Sequence, residues 1–221
     1  AVSSNGGLSF RYLDPFATFK PRGDVTTPGS FCGDQQALAK DLGSRSLVFW
    51  LLQGCDNGTE NAVRLVVYRD ADELVGAGGA SDPCSYVFRP ADLGLSTKRQ
   101  LDYPQMATTN RFLYITMNEI KLKSGTDATK NAVVWRMDLD DLDSTNCDAR
   151  IDRSWVEGTR KTIAPVHGAA STMYFATHHR ELISGDMLRI YSIGDGATNL
   201  THVDRNITNF PDVAKSRSCQ L

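Results

Sequence analysis

The chain is predicted to be all-β, a β-propeller segment of about three full blades plus a partial one. One repeated phrase carries the prediction: an aromatic-rich strand followed by a strand with a single arginine. It reads Phe49-Trp50-Leu51-Leu52-Gln53 then Val63-Arg64-Leu65; Phe112-Leu113-Tyr114-Ile115-Thr116 then Val134-Trp135-Arg136; and Met173-Tyr174-Phe175-Ala176-Thr177 then Leu188-Arg189-Ile190. Trp50 to Tyr114 spans 64 residues and Tyr114 to Tyr174 spans 60, longer than a hairpin and the size of a blade with generous loops. The strands are short apolar or alternating runs bounded by Gly, Asp, Asn and Pro, the punctuation of antiparallel sheets. Helix-forming composition is confined to Gln35–Leu42, a stretch closed by Gly43 that is marginal for a helix and acceptable as a strand plus turn, with room for a helical turn at most.

Taken in order, residues 1–20 form a partial blade, 30–92, 100–160 and 164–208 form three blades, and 209–221 lead into a further blade or a partner. Fourth strands are read at Cys84–Arg89, around Ser154-Trp155-Val156, and at Thr201–Ile207. Each aromatic strand is preceded by a polar lead-in phrase: Phe31-Cys32-Gly33-Asp34-Gln35, Leu101-Asp102-Tyr103-Pro104-Gln105 and Ala164-Pro165-Val166-His167-Gly168. The first strand of a blade lines the central channel, so these phrases are expected to face the axis. Closed propellers have four to eight blades, so the missing blades are expected from the same precursor or from another chain.

Composition narrows the function. Twenty-four basic and 26 acidic residues are interspersed, without the basic run that would neutralise successive phosphates. Nucleic acid is therefore not an expected partner. Hydrophobic residues make up 41%, enough for a real core, yet no window approaches a membrane span. Cys32, Cys55, Cys84, Cys147 and Cys219 are far apart with no C-x-x-C pair, which favours disulfides or buried thiols over zinc and leaves the pairing open. Sequons at Asn57, Asn199 and Asn206 add to a secreted or cell-surface reading.

Asp34, Asp102 and His167 occupy matching places in the lead-in phrases and are expected to converge near the axis. Paired carboxylates with an imidazole suit glycosidase acid/base work or a hydrogen-bonded water network. Gln35, Tyr103 and Gln105 of the same phrases are candidate ligand contacts. Arg64, Arg136 and Arg189 recur in the third strand and read as structural. Trp50, Tyr114 and Tyr174 recur in the second strand and read as packing between blades. The run Asp138-Leu139-Asp140-Asp141-Leu142-Asp143 lacks the glycine and closing glutamate of an EF-hand and reads as a strand end entering a turn. No cofactor is called for; calcium held by loop carboxylates of separate blades is the one metal arrangement left open. Adjacent His178 and His179 point to opposite sides of a strand and do not share a metal.

The phrases Phe31–Gln35, Phe49–Gln53, Asp102–Gln105 and Thr172–His178 resemble those of secreted sialidase-like (BNR-repeat) propeller proteins, over roughly residues 1–210. Ser3-Ser4-Asn5-Gly6-Gly7-Leu8-Ser9-Phe10 is similar to the Asp-box of that family, with Asn for Asp, Ser for Thr and Phe for Trp. The resemblance implies a six- or seven-bladed fold, an extracellular location and carbohydrate contact. It does not imply sialidase chemistry: Phe10-Arg11-Tyr12-Leu13 follows the box and lacks the proline of the family's first arginine phrase. The leading expectation is an extracellular binding or structural-assembly module. The alternatives are a glycoside hydrolase or lyase with its remaining catalytic residues outside this chain, and a subunit of a self-assembling filament or shell.

Overall fold

The computed structural model describes residues 1–15, 31–55, 60–70, 74, 83–96, 98–121, 128–158, 160, 162–181 and 185–207. Asn57 and Cys219 lie outside them. Among the described residues, the strands make three four-stranded antiparallel meanders. The first contains β1 (Phe31–Asp41), β2 (Ser46–Gly54), β3 (Val63–Tyr68) and β4 (Cys84–Phe88). The second contains β5 (Arg99–Thr108), β6 (Phe112–Lys121), β7 (Ala128–Asp138) and β8 (Arg153–Glu157). The third contains β9 (Ala164–Pro165), β10 (Thr172–Glu181), β11 (Gly185–Gly194) and β12 (Thr201–Ile207). Each sheet is built in chain order, so the connections stay short and local. This is a blade-like, all-β architecture.

The middle strands are apolar on both faces, and a sheet of that kind needs a neighbour on each side. Leu47, Phe49 and Leu51 of β2 with Leu65 and Val67 of β3 meet Leu113, Ile115 and Met117 of β6 and Val133, Trp135 and Met137 of β7. Trp135 is fully buried here, its ring 5.7 Å from Phe88. The opposite face of the second sheet, with Phe112, Tyr114, Ala132 and Val134, meets Met173, Phe175, Tyr191 and Ile193 of the third. Tyr114 and Phe175 pack edge to face, centroids 5.7 Å apart.

One open sequence expectation is decided and another needs correction. The helix-forming Gln35–Leu42 stretch belongs almost wholly to β1, because continuous pairing with β2 from Gln35 to Asp41 outweighs a weak local propensity. Helical turns occur instead at Pro90–Leu93 and Leu139–Leu142; the second is capped by Asp138, which accepts from the Asp140 N–H. The aromatic repeat is also out of step by one residue in the first sheet. Phe49, not Trp50, takes the place of Tyr114 on the face toward the following sheet, and Trp50 faces the other way with Val48, Leu52 and Tyr68.

Cys32–Cys55 ties the start of β1 to the segment after β2, and Cys84–Cys147 joins β4 of the first sheet to the segment after the helical turn in the second. Residues 1–15 form a small hairpin against the first sheet. Val2 and Arg11 exchange backbone hydrogen bonds of 2.8 Å, and Asn5 Oδ1 accepts from the Ser9 N–H. Gly6 and Gly7 supply the left-handed φ values of 67° and 87° that the turn requires. Leu13 is buried beneath it.

The reversed faces give a measurable contrast. Phe49→Ala is expected to cost about 3–5 kcal/mol in urea unfolding, as for a fully buried aromatic. Trp50→Ala, on the half-open face, is expected to cost clearly less; equal losses would contradict the assigned faces.

Candidate functional site

The lead-in segments gather where first strands begin and second strands end. In β1, Phe31 pairs with Gly54 and Gln35 with Leu52, so the intervening Cys32-Gly33-Asp34 bulges out of the ladder. In β5, Asp102 pairs with Asn118 and Gln105 with Thr116, leaving Tyr103-Pro104 bulged. The third sheet reaches the same position at Thr162, just ahead of β9. Each site carries one residue at positive φ: Gly33 at 82°, Tyr103 at 57° and Thr162 at 52°.

Side-chain amides from the preceding sheet hold the second and third of these sites. Gln53 Nε2 donates to Asp102 Oδ1 at 3.0 Å, while the buried Asn61 donates to the Leu101 carbonyl and accepts from its N–H, both at 2.8 Å. At the next seam Asn118 accepts from the Thr162 N–H at 2.7 Å and donates to Thr162 Oγ1 at 3.1 Å. Thr116 Oγ1 adds a 2.7 Å bond to the Ile163 carbonyl. Gly33 is needed twice over: a Cβ there would sit 3.0 Å from the Gln53 amide carbon, and its φ disfavours other residues. These amides escaped the sequence reading. The available signal was a polar amide closing an apolar strand, Leu51-Leu52-Gln53 and Ile115-Thr116-Met117-Asn118.

The proposed ring of Asp34, Asp102 and His167 is not assembled. Pairing aligns residues 160–164, not 164–168, with the other lead-in phrases. Val166 already donates to the Tyr174 carbonyl, which places His167 in the turn at the far end of β9. Asp34 is exposed within the β1 bulge, and Asp102 is occupied by Gln53. Of the candidate contacts, Gln35 accepts from the Trp50 indole at 3.1 Å and Gln105 is half-buried. Tyr103 projects from its bulge 46% exposed.

The three arginines go to separate partners. Arg64 lies 5.5 Å over the Phe31 ring, and burial lowers its pKa. Arg136 faces the third sheet, donates to Asp152 at 2.6 Å and covers Phe112 at 4.0 Å. Arg189 makes a two-pronged contact with Asp204 at 2.6 and 2.7 Å. Arg64 and Arg189 lie on the same face of their sheets, toward the preceding one, and Arg136 on the opposite face. Beside Arg189, burial pushes the Tyr191 hydroxyl up to about 12, with the neighbouring guanidinium opposing the shift.

A groove of about 270 Å³ lies between the N-terminal hairpin and the first sheet, walled by Val2, Leu13, Ala37, Val48, Trp50 and Tyr68. Among the described residues no group of three or more His, Cys, Asp or Glu is placed to hold a metal, and no helix is long and apolar enough to cross a membrane. Asn199 and Asn206 are both exposed. Comparison with protein-family models, curated proteins and solved structures found no match.

Because Tyr191 is raised above the usual tyrosine value of about 10, the unfolded chain ionises it first. Its contribution to stability is complete below about pH 10 and lost as pH rises toward 12. Alkaline absorbance titration of the folded protein is expected to show a phenol resisting ionisation to about pH 12, absent in Tyr191→Phe.

Proposed function

We propose that this chain is an extracellular β-propeller module that acts by binding, with its ligand held at the end of the sheets where the lead-in bulges gather. The observation that carries this is Tyr103. A left-handed φ costs a non-glycine residue about 1–3 kcal/mol, and here that conformation, pinned through Asp102 and Leu101, presents an aromatic ring to solvent. Strained, buttressed aromatics on a rigid sheet are suited to stacking against an apolar ligand face. Asp34, in the matching bulge of β1, and Gln35, the ladder residue after it, add carboxylate and amide groups. An aromatic platform with polar neighbours suits a carbohydrate.

The N-terminal hairpin supports the sialidase-like reading of the family. Asn5 folds back onto the Ser9 N–H, Ser3 Oγ accepts from the Gly7 N–H at 2.8 Å, and the glycines take positive φ, which is the mechanical role an Asp-box plays. Two disulfides and exposed Asn199 and Asn206 support an extracellular setting. Binding is favoured over hydrolysis because Asp102 is committed to Gln53 and His167 lies at the opposite end of the first strand.

Glycan-array profiling of the full chain is expected to give a defined set of ligands, with Tyr103→Ala weakening them at least tenfold by calorimetry. An array without signal, or affinity indifferent to Tyr103, would remove the site. Expression through a eukaryotic secretory pathway is expected to add glycan at Asn199 and Asn206, seen as a mass drop on enzymatic deglycosylation. An unshifted mass in a secreted product would count against the extracellular reading.

A further inference from the structure

The two seams between sheets are built alike, and among the described residues one face of the third sheet has no neighbouring layer. Pairing sets the equivalences. Phe49 of the first sheet corresponds to Tyr114 of the second and Tyr174 of the third; Leu65 corresponds to Val134 and Ile190; Gln53 corresponds to Asn118 and His178. In the first two sheets these positions face the following sheet. Phe49, Tyr114 and Leu65 are fully buried there and Val134 is 1% exposed. On the third sheet Tyr174 is 47% exposed, Val203 on neighbouring β12 is 46% exposed, and Ile190 is only half-buried. The surface that serves as a seam twice within the chain therefore recurs a third time, facing outward.

At the other end of the series the N-terminal hairpin carries a second apolar row. Leu8, Phe10 and Tyr12, at alternating positions, are 88%, 69% and 75% exposed. Phe10 and Tyr12 flank the bridged Arg11 and so share one side of the returning arm, with Leu8 in the turn ahead of them, while Leu13 turns inward onto the first sheet's groove. Three large exposed apolar side chains within five residues mark an interaction surface. One molecule thus presents two open apolar faces at opposite ends of the same series of stacked layers, and the second layer in that series is already held on both sides by this kind of contact.

We infer that a second copy of this chain packs head to tail, its N-terminal hairpin row of Leu8, Phe10 and Tyr12 seated on the outer face of the third sheet around Tyr174, Ile190 and Val203. The contact continues the seam that joins the first sheet to the second and the second to the third. It is heterologous, joining unlike faces, so two copies closing on each other form a ring and copies that do not close extend in a row. The inference does not use Tyr103 or any ligand, so it stands or falls apart from the binding proposal.

Light scattering coupled to size exclusion of the full chain tests it. The expected result is a particle of at least twice the 24.3 kDa chain mass at micromolar concentration. Tyr174→Arg with Val203→Arg blocks the sheet face, and Phe10→Ser with Tyr12→Ser blocks the hairpin row; each double variant is expected to run as a monomer. All four positions are solvent-exposed, and retained circular dichroism confirms that the variants fold. Mixing the two variants restores one intact sheet face and one intact hairpin row, so a heterodimer is expected. A monomeric parent chain at all concentrations overturns the inference. So does association indifferent to both variants, or a mixture of the two variants that stays monomeric.

Discussion

Both faces of the middle strands are apolar, and this constraint generates the rest of the structure. A strand that alternates apolar and polar residues is satisfied by one buried face. Strands such as Val63–Tyr68 and Phe112–Asn118, buried at every position, are satisfied only by layers on both sides. Stacking then follows, and with it the need to fix how far each sheet advances on the next. The amides of Gln53, Asn61 and Asn118 meet that need by bonding to the bulged backbone or its side chains in the next sheet. Their bonds are directional where the apolar contacts are not. They set the position along the strand that hydrophobic packing alone leaves open.

The repeat, the strand positions and the four-strand unit were legible in the residues, because apolar runs and turn residues report local conformation directly. The direction of each side chain was harder to read. From Trp50 to Gln53 is three residues, whereas from Tyr114 to the matching Asn118 is four, so aligning the aromatics shifts the register by one. A difference of one residue reverses the face. That is why Trp50 and Tyr114, aligned by eye, point to opposite sides; Arg136 departs from Arg64 and Arg189 because it pairs with Tyr114, three positions from the place they take. His167 was misplaced for a related reason. β9 is only two residues long, and nothing in Ala164-Pro165-Val166-His167-Gly168 shows that the chain has already turned back.

Polar groups are handled differently along the sheets. At the inner end, neutral amides meet backbone and the Asp102 carboxylate, and Arg99 pairs with the buried Glu119. Toward the outer strands, charged pairs take over: Arg136 with Asp152 and Arg189 with Asp204 lie where one partner of each pair keeps contact with solvent. Keeping one partner wet avoids the full desolvation cost of a buried ion pair. Two of the arginines that the sequence marks as structural, Arg136 and Arg189, anchor the third and fourth strands, each covering an aromatic ring as well as meeting a carboxylate.

The Cys84–Cys147 bond crosses from the first sheet to the second, while among the described residues no disulfide reaches the third. A crosslink of this span removes about 4 kcal/mol worth of freedom from the open chain in the loop-entropy account. The layers are consequently unequal in how they come apart. The first two remain covalent neighbours through any excursion short of reduction, whereas among the described residues the third is held to the second by packing and hydrogen bonds. In an oxidising medium the crosslinked pair is therefore expected to outlast the third layer when the molecule opens.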